Sequence, residues 1–123
     1  MLRILIADDN LMFRQYVHET LEDEENWEVC GEATTGREAI RMAADLKPDI
    51  VVLDLSMPDV NGLEATMEIH KQFPDTEIVI LSMHDVPELT LAALASGARA
   101  CLLKSDLDHL IDVLRDVKNC IRG

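Results

Sequence analysis

Aromatic residues are almost missing from this sequence: one Trp, one Tyr and two Phe, at Trp27, Tyr16, Phe13 and Phe73, are spread over 123 residues. A core must therefore be built from aliphatic side chains, and a hydrophobic content of 48% suffices for that within one domain. Cysteine is scarce too. Cys30, Cys101 and Cys120 are odd in number, far apart and without a Cys or His neighbour at metal-ligand spacing, which argues against a disulfide framework and a zinc site. No apolar run approaches the roughly 20 residues that a bilayer-spanning helix needs. The start Met1-Leu2-Arg3-Ile4 reaches Asp8-Asp9 before a signal-peptide core can form, so the chain reads as cytoplasmic. Basic residues are few: 11 Lys and Arg stand against 24 Asp and Glu, a net charge of −13 that repels phosphate backbones and anionic lipid. Neither membrane attachment nor direct nucleic-acid binding by this chain is expected. Linkers, low-complexity tracts and internal repeats are also lacking.

What is present alternates. Continuous apolar runs at 3–7 (RILIA), 50–53 (IVVL), 78–81 (IVIL) and 100–103 (ACLL) fit strands buried on both faces. WEVCGEA at 27–33 alternates apolar with polar positions, as an edge strand does. Helical stretches lie between them. Thr35-Gly36-Arg37-Glu38 and Asp85-Val86-Pro87-Glu88 match capping boxes, while Lys47-Pro48, Phe73-Pro74 and Gly97 mark helix ends. Leu107, Leu110, Ile111, Leu114, Val117 and Ile121 recur at three- and four-residue spacing, which predicts an amphipathic last helix with Ser105 as its cap. Five strand–helix alternations with short crossovers predict an α/β fold with a parallel, doubly wound sheet. Ligands of such sheets sit beyond the carboxyl ends of the strands.

Those ends carry Asp8 and Asp9, Asp54, Ser82 and Lys104. Each has an ordinary structural reading: Asp9 or Asn10 as a helix cap, Asp54 opening a turn ahead of Pro58, Ser82 bonded to loop backbone, Lys104 neutralising acids. As a set they point further. Three converging carboxylates repel one another, and Lys104 alone is too little charge to offset them. Hard oxygen ligands partly open to water suit Mg²⁺, with Mn²⁺ as a substitute, and a metal-assisted phosphoryl site follows.

With Asp54 in VVLDLSMPDVNGLEA and Lys104 in GARACLLKSD, this set resembles the receiver domain of two-component response regulators over essentially the whole chain. The resemblance implies a five-stranded, flavodoxin-like (βα)5 fold with strand order 2-1-3-4-5. The Lys104-Ser105-Asp106 ending is similar to the subfamily whose full-length members carry a C-terminal helix-turn-helix output domain and regulate transcription. By matching position, Asp54 would accept a phosphoryl group from a sensor histidine kinase, from a phosphotransfer protein in a phosphorelay, or from a small donor such as acetyl phosphate. Mg²⁺ would be held by Asp9, Asp54 and the Ser56 carbonyl, with Asp8 acting through a water. Lys104 and Ser82 would contact the new phosphoryl oxygens and switch the partner-binding surface formed by the fourth and fifth helices, with a homodimer on activation. Such a chain is a signalling switch with self-phosphorylating and self-dephosphorylating chemistry, not a turnover enzyme.

Several positions depart from the pattern. Receivers usually place Tyr or Phe three residues before the lysine, where this chain has Cys101; Met83 is bulkier than usual and should narrow access to Asp54. His84 and Ser56 flank the path of attacking water that the resemblance implies. His18, His70 and His109 read as solvated, and the run Glu22-Asp23-Glu24-Glu25 as a solvated loop. The competing readings are a degenerate receiver serving as a phosphorylation-independent interaction module, and an aspartyl phosphohydrolase, which would place a second Asp where Ser56 stands. A flavodoxin relative would need a Ser/Thr/Gly-rich loop after the first strand. The chain is expected to be a single receiver domain over 1–123 without an effector domain.

Overall fold

In the computed structural model, residues 1–122 are described, with side chains through Cys120. The apolar runs of the three central strands are covered on both faces, whereas the run at 100–103, expected to be buried likewise, forms an edge strand whose four residues are only half-buried. The strands are β1 (Leu2–Ala7), β2 (Trp27–Ala33), β3 (Ile50–Asp54), β4 (Glu77–Ser82) and β5 (Ala100–Leu103). All pair in parallel in the order β2-β1-β3-β4-β5, the predicted topology, with β2 and β5 at the edges. Asp54 and Ser82 are the last residues of their strands and not the first beyond them. The helices are α1 (Leu11–Glu22), α2 (Gly36–Leu46), α3 (Gly62–Gln72), α4 (Pro87–Ala95) and α5 (Leu107–Arg122).

Alternate strand residues feed two cores. On one face Ile4, Ile6, Val52, Val79 and Leu81 pack with Val17 and Leu21 of α1 and Leu110, Leu114 and Val117 of α5. On the other, Leu5, Val51, Leu53, Ile78 and Ile80 meet Ala39 and Ala43 of α2, Ala65 and Ile69 of α3, and Ala93 of α4. The largest fully buried side chains are all Leu and Ile, as the lack of aromatics requires. The side chain of Ile121, placed on the apolar stripe from sequence, lies outside the described residues.

Two predicted caps move by one residue. Pro87 takes the first helical position of α4, where its missing N–H is not needed, so the cap falls on Val86, which has no side-chain acceptor; Asp85 is one residue too early. At α5, Asp106 and not Ser105 caps: its Oδ1 accepts from the His109 N–H at 3.1 Å and its carbonyl from the Leu110 N–H at 3.2 Å. Thr35 caps α2 as expected, accepting from the Glu38 N–H at 3.0 Å. Gly97 adopts φ +112 after α4, a region that side-chain-bearing residues avoid.

Two surface expectations are corrected. His18 is not a solvated histidine: its ring lies between Glu32, at 2.8 Å, and Glu22, at 3.1 Å. The acidic run is not a free loop either, since Glu22 accepts from the Val29 N–H and Glu24 pairs with Arg115 of α5. His70 and His109 are exposed, as expected.

Candidate functional site

The C-terminal edge of β1 and β3 brings Asp8, Asp9 and Asp54 together, with one carboxylate oxygen of each within 4.8 Å of the others. Asp8 and Asp54 are buried, and Asp9 is exposed at the rim. Local structure explains this. Asn10 caps α1 through the Phe13 N–H at 3.0 Å, which leaves Asp9 free of the capping role. Asp8 is fixed by its own backbone: its N–H donates to Ala33, and its Oδ1 accepts from the Asn10 N–H at 2.8 Å.

Lys104, just past β5, reaches across the gap. Its ammonium stands 2.7 Å from Asp8 Oδ2 and 3.3 Å from Asp54 Oδ1. The Lys104 backbone N–H donates to the Ser82 carbonyl at 2.9 Å, which ties this loop to the end of β4. One cation thus faces three carboxylates, so the site holds excess negative charge. Burial, followed by the nearby Asp8 charge, pushes the Asp54 carboxyl above its usual range, while Lys104 and the Ser56 N–H pull the other way. The Ser56 N–H donates to Asp54 Oδ1 at 3.2 Å, so both Asp54 contacts fall on one oxygen and Oδ2 is left for chemistry.

The donor set fits a hard divalent cation. Asp8 Oδ2 is buried and, although in ionic contact with Lys104, has no donor aligned on it as a hydrogen bond. A buried carboxylate oxygen left in that condition, beside two further carboxylates, matches the all-oxygen sphere of Mg²⁺.

The other predicted positions lie close by in different roles. The Ser82 hydroxyl donates to the His84 carbonyl and accepts from the His84 N–H, both at 3.1 Å, so here it shapes the β4–α4 loop. Met83 is largely exposed and, with Asn10, Phe13, Lys104 and Ser105, lines a cleft of about 350 Å³ beside the ammonium. Ser56 and His84 are exposed. Cys101 is half-buried against the α2–α4 side of the sheet, where burial pushes its thiol up, the environment of a packed thiol.

Two participants are not recognisable as such in the sequence. The Phe13 ring centroid lies 4.7 Å from the Lys104 ammonium, a cation–π contact. Arg14 donates to the Asp8 carbonyl at 2.8 Å while its Nε holds Glu32 at 2.7 Å. Their place in the first turn of α1, just after the acidic pair, is the only sequence signal of either role.

Comparison with known proteins identifies the family and the fold. The model of the response regulator receiver domain matches residues 4–115. The oxygen regulatory protein NreC of Staphylococcus epidermidis is 41% identical over 118 residues, covering 94% of this chain and 54% of NreC. The chemotaxis protein CheY of Thermotoga maritima is 37% identical over 102 residues, covering 83% of this chain and 84% of that protein. Among solved structures, the signal receiver domain of a NarL response regulator from Mycobacterium tuberculosis superposes with a TM-score of 0.88 at 29% identity, covering 99% of this chain and 97% of that one. The chain spans about half the length of several transcriptional regulatory proteins it matches, 48% of one and 50% of another. A matched family model over nearly the whole chain, on a sheet of the expected order with its acids and lysine at one edge, makes this chain a member of the response regulator receiver domain family.

Proposed function

We infer that the chain is a phosphorylation-controlled switch in two-component signalling, working in the cytoplasm, in which Asp54 accepts the phosphoryl group. The observation that carries this reading is the single Lys104 ammonium between Asp8 and Asp54, with Asp9 completing a three-carboxylate cluster. Asp9, Asp54 and the Ser56 carbonyl would hold Mg²⁺ directly, and Asp8 through a water. Bound there, the cation supplies the charge that neutralises the equatorial phosphoryl oxygens in transfer.

The protein's own part is positioning. Asp54 is held through Oδ1 by the Ser56 N–H and Lys104, so Oδ2 is the oxygen that forms the new bond to phosphorus as the bond to the donor's imidazole nitrogen or acyl oxygen breaks. No general base is required, because the nucleophile is a carboxylate. Lys104 stays beside Asp54 and follows the new negative charge. The Ser82 hydroxyl would exchange its two His84 bonds for a phosphoryl oxygen, which frees the β4–α4 loop and alters the face made by α4, β5 and α5. A sensor kinase or phosphotransfer protein is the donor partner in this reading, a second copy a partner after activation, and a DNA-binding output region the wider context suggested by the regulatory relatives.

Intact mass after incubation with acetyl phosphate tests the reading. A phosphoryl adduct should form with Mg²⁺, and neither with chelator nor in Asp54→Asn. Absence of the adduct with both acetyl phosphate and phosphoramidate, while Mg²⁺ still binds, would instead favour a phosphorylation-independent interaction module.

A further inference from the structure

The loop that carries Ser56, residues 55–61 between β3 and α3, is gripped by the first residues of two helices. Gly62, the first residue of α3, donates its N–H to the Leu55 carbonyl at 2.9 Å. A Cβ on it would stand 2.5 Å from the Asp54 carbonyl oxygen and 2.7 Å from Leu55 Cα. Gly36, the first residue of α2, closes the other side: a Cβ there would lie far inside van der Waals contact with the Val60 carbonyl oxygen and 2.6 Å from its carbon. Neither has positive φ; among the described residues Gly97 is the only glycine that does. The requirement at Gly36 and Gly62 is therefore space alone. Arg37, next to Gly36, adds an ion pair to Asp59 at 3.0 Å across the same seam.

We propose that Gly36 is a positioning residue for the divalent cation: by letting the start of α2 seat against the Val60 backbone, it fixes the 55–61 loop and thereby the Ser56 carbonyl relative to Asp9 and Asp54. The inference rests on the cation reading above. The contact is with backbone atoms, which cannot rotate aside as the end of a side chain can. An added methyl must move either α2 or the loop, and α2 is the stiffer, being anchored on the sheet through Ala39 and Ala43. The loop moves, and with it one ligand. Gly31 provides the matched comparison: a Cβ there would press on the same helix, but on Met42 Cε and Leu46 Cδ1, the mobile ends of side chains, each at 2.7 Å.

The test is Mg²⁺ titration by calorimetry of wild type, Gly36→Ala and Gly31→Ala, with thermal unfolding of each. Gly36→Ala should bind Mg²⁺ roughly tenfold more weakly, whereas Gly31→Ala should bind as wild type does whatever it loses in stability. Gly36→Ala binding Mg²⁺ as tightly as wild type overturns the proposal. A wild type that binds no Mg²⁺ instead removes the cation reading, and this inference with it. Should Gly36→Ala fail to fold, amide exchange of the wild type decides. Mg²⁺ should then slow exchange at Glu38 and Ala39, whose N–H groups close the first turn of α2 on Thr35. Slowing confined to residues around Asp8 and Asp54 would refute the coupling.

Discussion

The Lys104 ammonium lies 4.7 Å from the centre of the Phe13 ring and 2.7 Å from Asp8 Oδ2, so an aromatic residue of α1 helps hold the one cation that, among the described residues, touches the buried carboxylates. Phe13→Leu keeps the bulk and removes the ring quadrupole. A contact worth about 0.5–2 kcal/mol corresponds to a loss of about two- to thirtyfold. Adduct formation with acetyl phosphate at fixed Mg²⁺ should slow within that range, and Phe13→Tyr should restore it.

Asp54 offers a test that needs no phosphoryl donor. Its carboxyl is raised above the ordinary value by burial and by Asp8, so its contribution to stability is present at low pH and is lost as pH rises through its folded pKa. Metal-free Asp54→Asn should therefore unfold higher than wild type at neutral pH, by about 3–5 °C for ~1 kcal/mol in a domain of this size. Mg²⁺ should raise the unfolding temperature of wild type and barely change that of the variant.

Removing the lysine does the reverse. Lys104→Met leaves Asp8 and Asp54 buried without a counter-charge, a loss of roughly 3 kcal/mol or more in the metal-free protein. Added Mg²⁺ should recover more stability in this variant than in wild type, as measured by thermal unfolding.

His18 gives a separate pH signature away from the site. Burial lowers its pKa, but the hydrogen bond to Glu32 and the Glu22 charge outweigh that and raise it above 6.5. The protonated ring is thus favoured in the fold; its contribution is full below the unfolded value and fades as pH rises through the folded one. His18→Gln should be destabilised relative to wild type at pH ~5.5 and much less at pH ~8.5, by under about 1 kcal/mol given the partial exposure.

Cap positions can be checked directly by urea unfolding. Asp106→Ala should cost about 1 kcal/mol. Ser105→Ala and Asp85→Ala should stay within about 0.5 kcal/mol of wild type.

The fold and the acidic site were legible because they depend on local runs: IVVL and IVIL are short, β-branched and bounded by acid or serine, which fits buried strands, and strands of a parallel sheet deliver the residues at their ends to one edge. The caps of α4 and α5 were misread by one residue because adjacent polar residues compete, and backbone geometry, set at α4 by Pro87, decides between them. Phe13 with Lys104, His18 with Glu32 and Gly36 with Val60 were not legible at all. Each pair joins different elements, and their meeting depends on helix rotation and the height of a loop, which no spacing along the chain encodes.

The two sides of the sheet are built for different mechanical duties. Toward α1 and α5, long branched side chains interlock, so those helices can turn only by repacking rotamers. On the opposite side α2 and α3 seat Ile40, Met42, Leu46 and Ile69 beside Ala39, Ala43 and Ala65, whereas α4 enters that core through Ala93, whose methyl has no rotamer to change. α2 and α3 are anchored there, and α4 rests on a bearing. Small sliding of a whole helix meets least resistance at α4, which leads away from Ser82, so a rearrangement passed from Asp54 to Ser82 would leave the site there as shear.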